Sequence, residues 1–432
     1  MMAPLAVALA GLGTVGAGVF ALLGDRAETL AGRAGRPIRV VAVSARDRNR
    51  DRGIDLGGVA WFDDAAAMAR EAEADVFVEL IGGADGIARA ACEAALDAGR
   101  DVVTANKALL AKHGTVIARR AEASGRTLGY EAAVAGGIPI VKALREGLAA
   151  NRIAAIYGIL NGTCNYILTE MRTTGRPFDA VLADAQALGY AEADPHFDID
   201  GIDAAHKLAI LTALAFGTEV DFDGVHVEGI RHVSADDIVF ADELGYRIKL
   251  LGIARRTGHG IEQRVHACMI PQTAPLARVE GVFNAVVAEG DSVGTTVYEG
   301  RGAGAGPTAS AVVADLVDLA RGLRLPVFAA PAVDLLPAET AAMDRHVGPY
   351  YLRLMVVDRP GVIADVAAAL RDEQISMESM IQRGRAPGGP VPVVLTTHET
   401  GEAAMSRALA RIERIGSVVE PPHMIRIESL VS

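Results

Sequence analysis

Along the first third of the chain, apolar residues come in short unbroken runs rather than in alternation with polar ones. PLAVALA near the start, PIRVVAVSA at 37–45 and ADVFVELIGG at 74–83 are of this kind, and such runs suit strands buried on both faces. Helical spacing follows them, in VGAGVFALLG and in DGIARAACEAALDAG. RDVVTANKALLA then reads as strand, turn and helix, and RTLGYEAAVAGG as a further strand. Strands alternating with helices imply right-handed crossovers and a parallel sheet that receives ligands at the carboxyl ends of its strands. Gly82, Gly83, Asn106 and Lys107 fall at those ends.

After Gly137 the rhythm changes to longer helices and a few amphipathic strands. IPIVKALREGLAAN is helical, RIAAIYGILNGTCNYILTEM passes from strand through NGTCN into a helix, and PFDAVLADAQALG is a helix closing at Gly189. The next helix, DAAHKLAILTALAFG, starts at Asp200 or Ile202. A glycine-rich bend at GRGAGAG leads into a long helix that returns to the first domain, and 326–347, rich in Pro and Ala without a period, reads as a linker. From Pro349 the order strand, helix, strand, strand, helix, strand implies a small ferredoxin-like sandwich. The expected organisation is α/β: a Rossmann-type nucleotide-binding domain over 1–137, completed by 304–325, then an α+β substrate-binding and dimerisation domain over 138–303. The linker precedes a ferredoxin-like module over 348–432.

Composition narrows the partners. A net charge of −12 without a Lys/Arg-rich stripe excludes nucleic acid, whose phosphates would repel the surface. Cys92, Cys164 and Cys268 have no CxxC spacing, which fits a reducing cytoplasm and excludes a disulfide framework. Residues 3–24 carry no charge and exceed the roughly 18 residues of a membrane span. MMAP, however, lacks the basic flank of a signal peptide, and the glycine spacing within the run offers a better reading: a soluble, cytoplasmic protein with no membrane partner.

That spacing is GLGTVG, comprising Gly11, Leu12, Gly13, Thr14, Val15 and Gly16, between the first strand and the first helix. The first glycine allows a tight turn, the second lets backbone approach a pyrophosphate, and the third permits close helix–strand packing. At the end of the second strand stands VSARDRNR rather than a lone acid. Arg46 there can pair a 2′-phosphate and favours NADP, while Asp47 leaves NAD open.

One stretch, GYAEADPHFDIDGIDAAHK at 189–207, places Glu192, Asp194, Asp198, Asp200 and Asp203 before Lys207. Asp203 and Lys207 share a helical face, and Asp203 also sits in the first turn, which explains that pair structurally. It does not explain the acids that precede the helix. Calcium is disfavoured because DIDGID breaks the EF-hand spacing. A substrate carrying its own ammonium would account for the carboxylates, with Lys207 as the proton-transferring group.

Residues 185–207, AQALGYAEADPHFDIDGIDAAHK, resemble the signature of homoserine dehydrogenases. GLGTVG, TANKALL, YEAAVAGGIP, GILNGTCNYIL and GRGAGAGPTASAVVADL resemble family segments in the same order, up to about Leu323. The resemblance implies oxidoreduction between L-homoserine and L-aspartate 4-semialdehyde with NAD(P), serving threonine and methionine biosynthesis. It gives Lys107 and Lys207 the proton chemistry and substrate positioning, Glu192 and Asp203 the substrate, and Asp198 a supporting role. Thr163 is placed near the substrate, and Gly83, Gly189 and Gly304 where backbone or strand end meets the cofactor. It further implies a sodium ion held by the Glu131 side chain and the carbonyls of Val134, Gly136 and Ile138. DRPGVIADV resembles the first turn of ACT domains, with Asp358 and Gly361 at an amino-acid effector site, threonine being the expected effector, and with a homodimer or homotetramer implied. Two other readings remain: a phosphorylating semialdehyde dehydrogenase with Cys164 as thiolate, and a non-catalytic amino-acid sensor.

Overall fold

The computed structural model describes residues 2–384 and 386–430. Its first sheet is wholly parallel, built from β1 (Leu5–Ala10), β2 (Ile38–Ser44), β3 (Ala60–Phe62), β4 (Val76–Glu79), β5 (Asp101–Thr104) and β6 (Leu128–Gly129). Their spatial order, β3-β2-β1-β4-β5-β6, reverses direction at β1 and β4, so the crevice between those two strands opens at their carboxyl ends. The unbroken apolar runs are explained by burial on both faces. Val7, Leu9, Val43 and Val78 pack under the helices Thr14–Asp25 and Ala305–Ala320, while Ala8, Ala42 and Phe77 face the opposite core. The charge-free stretch at 3–24 is thus strand, loop and helix, and among the described residues no helix is long and apolar enough to cross a membrane.

The sequence pattern departs from the structure in identifiable places. VAWF supplies the short β3, and only Leu128–Gly129 of RTLGYEAAVAGG is strand, because a 3₁₀ turn at Glu131–Ala133 bends the chain away. IPIVKALREGLAAN is helical, but as one α turn followed by a π turn. The two longest strands, Tyr246–Thr257 and Gly260–Pro271, form a hairpin with both faces covered, so that even Lys249, Glu262, Arg264 and His266 on them are buried.

That hairpin is the middle of a second sheet. Its path runs Gly294–Arg301, Phe283–Gly290, Ile153–Ile159, Tyr246–Thr257, Gly260–Pro271, His423–Ile427, Tyr350–Val357, Pro390–Thr397 and Met377–Gln382. The last four strands with the helices Val362–Asp372 and Glu402–Ile412 make the expected βαββαβ module. The module is not a separate bead: Cys268 and Met269 pair in parallel with Arg426 and Ile427, so one sheet crosses both regions. The intervening 326–347 stretch is irregular yet anchored. Phe328 is buried, the Tyr130 hydroxyl donates to Val327 O at 2.8 Å, and Thr340 bridges Ile261.

Candidate active site

Two asparagines at strand-to-helix turns build the site. Asn106 stands two residues past β5, and its side chain accepts from Leu109 N, capping the helix Lys107–Ala123 and placing Lys107 at its first position. Asn161 follows the strand Ile153–Ile159 and caps Gly162–Thr174 by accepting from Cys164 N at 2.8 Å. The third element is the helix Ile202–Phe216, entered through Gly201 at φ +85° and buried all round from Asp203 to Leu214. Such a helix is a core helix, and the charges it carries inside must be compensated.

Compensation centres on Asp203. Its Oδ2 accepts from Lys207 Nζ at 2.7 Å and from Asn161 Nδ2 at 2.9 Å, and its Oδ1 pairs Lys107 Nζ at 2.8 Å. Lys207 also donates to Leu160 O at 2.7 Å, and Asn161 Nδ2 to Asp198 Oδ1 at 2.8 Å. Burial pushes the Asp203 carboxyl up, but the two ammonium groups outweigh it and hold it well below the usual carboxylate range. The lysines separate. Burial lowers Lys207, and Asp203 only partly offsets this against the repulsion of Lys107. Burial pulls Lys107 down too, but Asp203, Asp198 and Glu192 more than reverse it. The two ammonium groups are thus shifted in opposite directions, Lys207 down and Lys107 up. Asp198 is raised by burial, partly countered by Asn161.

Both lysines reach a cavity of about 310 Å³ between the domains, lined also by Val15, Leu80, Gly82, Asn106, Gly136 and Gly304. Of the glycine-loop residues, Val15 lines the cavity. Gly11 has φ +97°, a side chain at Gly16 would strike the Gly11 carbonyl, and Gly13 has open space where a Cβ would stand. Leu12 is buried, and Thr14 starts a helix without a side-chain cap, leaving its first amides available. This is a fit for a pyrophosphate. Gly304, at φ +114°, precedes the helix Ala305–Ala320 on the far wall.

The other candidates are more scattered. Arg46 is exposed on the bend past β2, whereas Arg52 donates to Leu12 O at 3.1 Å and, with Arg48, lies against the Trp61 ring. Gly83 O accepts from Asn106 Nδ2 at 2.7 Å. Gly189 and Glu192 occupy the exposed loop after Phe178–Ala187, and the Thr163 hydroxyl donates to Tyr190 O in that loop at 2.7 Å. Asp358 accepts from Ala386 N at 2.9 Å, and Gly361, at φ +92°, starts the helix Val362–Asp372, both within the C-terminal module.

In the expected sodium loop, Glu131 accepts from Val141 N and Lys142 N at 2.9 Å each, so its carboxylate already holds a helix start. The Val134 and Gly136 carbonyls, in buried residues, accept no hydrogen bond among the described residues. Burial and Asp315 push Glu131 up to about 7. Unpartnered carbonyls beside a carboxylate short of positive charge fit a hard cation.

The thiolate alternative fails on geometry. Cys164 is fully buried, its Sγ donates to Asp198 O at 3.2 Å, and burial with Asp198 and Asp203 drives its thiol far up. Sequence reasoning missed Asn161 and Glu79. Asn161 carries the N-cap signal of an Asn just before a helix, and Glu79 is an acid in an apolar strand. Glu79 accepts from Ile81 N, Gly82 N and the Thr104 hydroxyl, ordering the β4 end of the cavity.

Comparison with known proteins bears on the whole chain. Residues 139–317 match the family described as homoserine dehydrogenase, 11–131 its NAD-binding domain and 350–417 the ACT domain. A homoserine dehydrogenase of Neisseria gonorrhoeae is 48% identical over 99% of this chain and 100% of that protein. A crystal structure of a homoserine dehydrogenase from Thiobacillus denitrificans, 48% identical, covers 99% of each chain with a TM-score of 0.93. A hyperthermophilic archaeal homoserine dehydrogenase in complex with NADPH, 25% identical, covers 74% of this chain and 99% of its own, with a TM-score of 0.64.

Proposed function

This chain belongs to the homoserine dehydrogenase family and is an oxidoreductase, and from that premise we propose how its residues interconvert L-homoserine and L-aspartate 4-semialdehyde. A bound nicotinamide supplies the hydride acceptor. Lys207, the lysine with the lowered pKa, takes the hydroxyl proton. Lys107 stays cationic and polarises the same oxygen. Asp203 Oδ2 takes Lys207 and Asn161 while Oδ1 meets only Lys107, so the carboxylate orients both lysines and keeps accepting capacity on its buried Oδ1. The substrate ammonium falls to Asp198 and Glu192, with Thr163 steadying the loop that bears Glu192. The observation that carries the reading is the split between two lysines sharing one buried carboxylate at the cavity.

NADP is the favoured cofactor, on the strength of the arginines past β2 and of the NADPH-bound archaeal relative. Gly11, Gly13 and Gly16 would hold its pyrophosphate, and Arg46 its 2′-phosphate. The Val134 and Gly136 carbonyls, with Glu131, would hold sodium where the first domain meets the second, while the expected third carbonyl, Ile138 O, already accepts from Ile140 N at 2.8 Å and has one lone pair left to offer. Threonine would bind the ACT module at the Gly361 helix start beside Asp358, and pairing of modules would give a dimer or tetramer. A reducing cytoplasm suits three buried, unpaired cysteines. Homoserine oxidation assayed with each cofactor, with and without threonine, tests these assignments together. Faster turnover with NADP and inhibition by threonine are expected. Preference for NAD removes the role given to Arg46, and indifference to threonine with no threonine binding removes the effector site.

A further inference from the structure

The turn that bears Asp198 and Asp203 is supported from behind by a segment that the C-terminal module grips. Ile230 N donates to Ile199 O at 2.9 Å, and the Arg231 guanidinium pairs the Asp200 carboxylate. The two backbones touch: a side chain at Gly229 would run into Ile199 O and the Asp200 Cα, and one at Gly201 would press on Val227 and Val265. Just upstream, Glu228 N donates to Val265 O at 2.7 Å. The Glu228 carboxylate is then held by Arg426 of the last strand, Nη1 to Oε2 at 2.8 Å and Nη2 to Oε1 at 3.1 Å. Arg426, buried, also donates to Glu402 through Nε at 3.0 Å and Nη2 at 2.5 Å, and the Tyr350 hydroxyl donates to Glu402 Oε2 at 2.8 Å.

We propose that Arg426 is a positioning residue for the substrate carboxylates, acting through Glu228 and the 229–231 segment on the turn between Asp198 and Asp203. A guanidinium bonded at both nitrogens fixes the direction of its partner as well as its charge, and lysine cannot reproduce that fork. The carboxylate it directs belongs to Glu228, the residue immediately before the glycine that packs on Ile199. A small displacement of that turn moves Asp198 against the ammonium it binds, while the glycine loop of the first domain stays where it is. The inference rests on Asp198 holding the substrate ammonium, as proposed above.

The full-length enzyme tests it through steady-state kinetics of Arg426→Lys, Glu228→Gln and Gly229→Ala. Arg353→Lys is the control, because Arg353 joins the same module to Asp237 at 2.6 Å without touching the turn. Each of the three should raise the KM for homoserine about tenfold and move the cofactor KM by less than about twofold. Arg353→Lys should lower the melting temperature and leave the homoserine KM unchanged. Wild-type homoserine KM in folded Arg426→Lys and Glu228→Gln overturns the proposal, as does an equal rise in the control. Should those two not fold, Gly229→Ala, which leaves every charge in place, decides by the same measurement. Asp198→Asn separates the premise: if it spares the homoserine KM, the assignment of the ammonium site fails instead.

Discussion

At the cleft, one carboxylate holds two ammonium groups beside a cavity of about 310 Å³. At the junction with the C-terminal module, a guanidinium is enclosed by residues of similar chemistry. Arg264 Nη1 donates to Glu428 at 2.5 Å and lies 3.0 Å from His266 Nε2, with Cys268 Sγ 3.2 Å from the other ring nitrogen. By residue type the second cluster looks the more reactive, since His, Cys and Glu are metal ligands. Its physics says otherwise. Burial drives the Cys268 thiol far up and the His266 imidazole far down, and the arginine already supplies the positive charge a metal would bring. The cleft differs in having an opening and two cations whose proton affinities diverge, and those are what chemistry requires.

The largest effect that can break this contrast is Lys207→Met. With Lys207 as the proposed proton acceptor, its loss should cut kcat for homoserine oxidation about 10²–10⁴-fold while the protein stays folded. In the wild type the rate should fall as pH drops through the pKa of Lys207, since only the neutral amine accepts a proton. That pKa lies below the ordinary lysine value, and the limb should vanish from the variant's residual activity. A variant with an unchanged pH limb would remove Lys207 from the proton step.

Arg264→Met should have the opposite signature. It strands Glu428 in a buried site and should cost roughly 3–5 kcal/mol of stability in denaturant titrations. The folded fraction should keep the wild-type kcat, and a kcat loss comparable to that of Lys207→Met would erase the distinction between the clusters.

The smallest expected effect concerns Glu131. Its folded pKa, near 7, is raised above the ordinary value, so its stabilising contribution is complete at low pH and is lost as pH rises through about 7. A cation on the neighbouring carbonyls should offset that loss. Sodium chloride, compared with choline chloride, should raise the melting temperature by about 2–4 °C at about pH 8 and by less at about pH 5.5. Equal shifts at both pH values would argue against an ion in that loop.

Much of this molecule is legible from local pattern. GLGTVG between an apolar run and a helix foretells the turn at Gly11 and the close packing of Gly16, because both depend on neighbours in the chain. The acids from Glu192 to Asp203 likewise mark the turn that carries Asp203 to Lys107 and Lys207. Less legible are strands whose charged face is buried rather than solvated, such as Tyr246–Thr257 and Gly260–Pro271. The shared sheet is also hidden, because the Cys268–Arg426 pairing joins segments that no local signal connects. Arg46 and Arg52 show the limit at side-chain level: both lie in one arginine-rich stretch, yet only Arg52 touches the glycine loop.

Residue order alone determined which groups this protein has available, including two lysines, a row of acids, a glycine turn and a second module. Folding decided which of them meet and in which direction each one's proton affinity is shifted. Lys107 and Lys207 are chemically identical side chains, and they diverge because one is more deeply desolvated while the other collects more negative charge. Both influences act through space, where distance and burial, not position along the chain, set their strength.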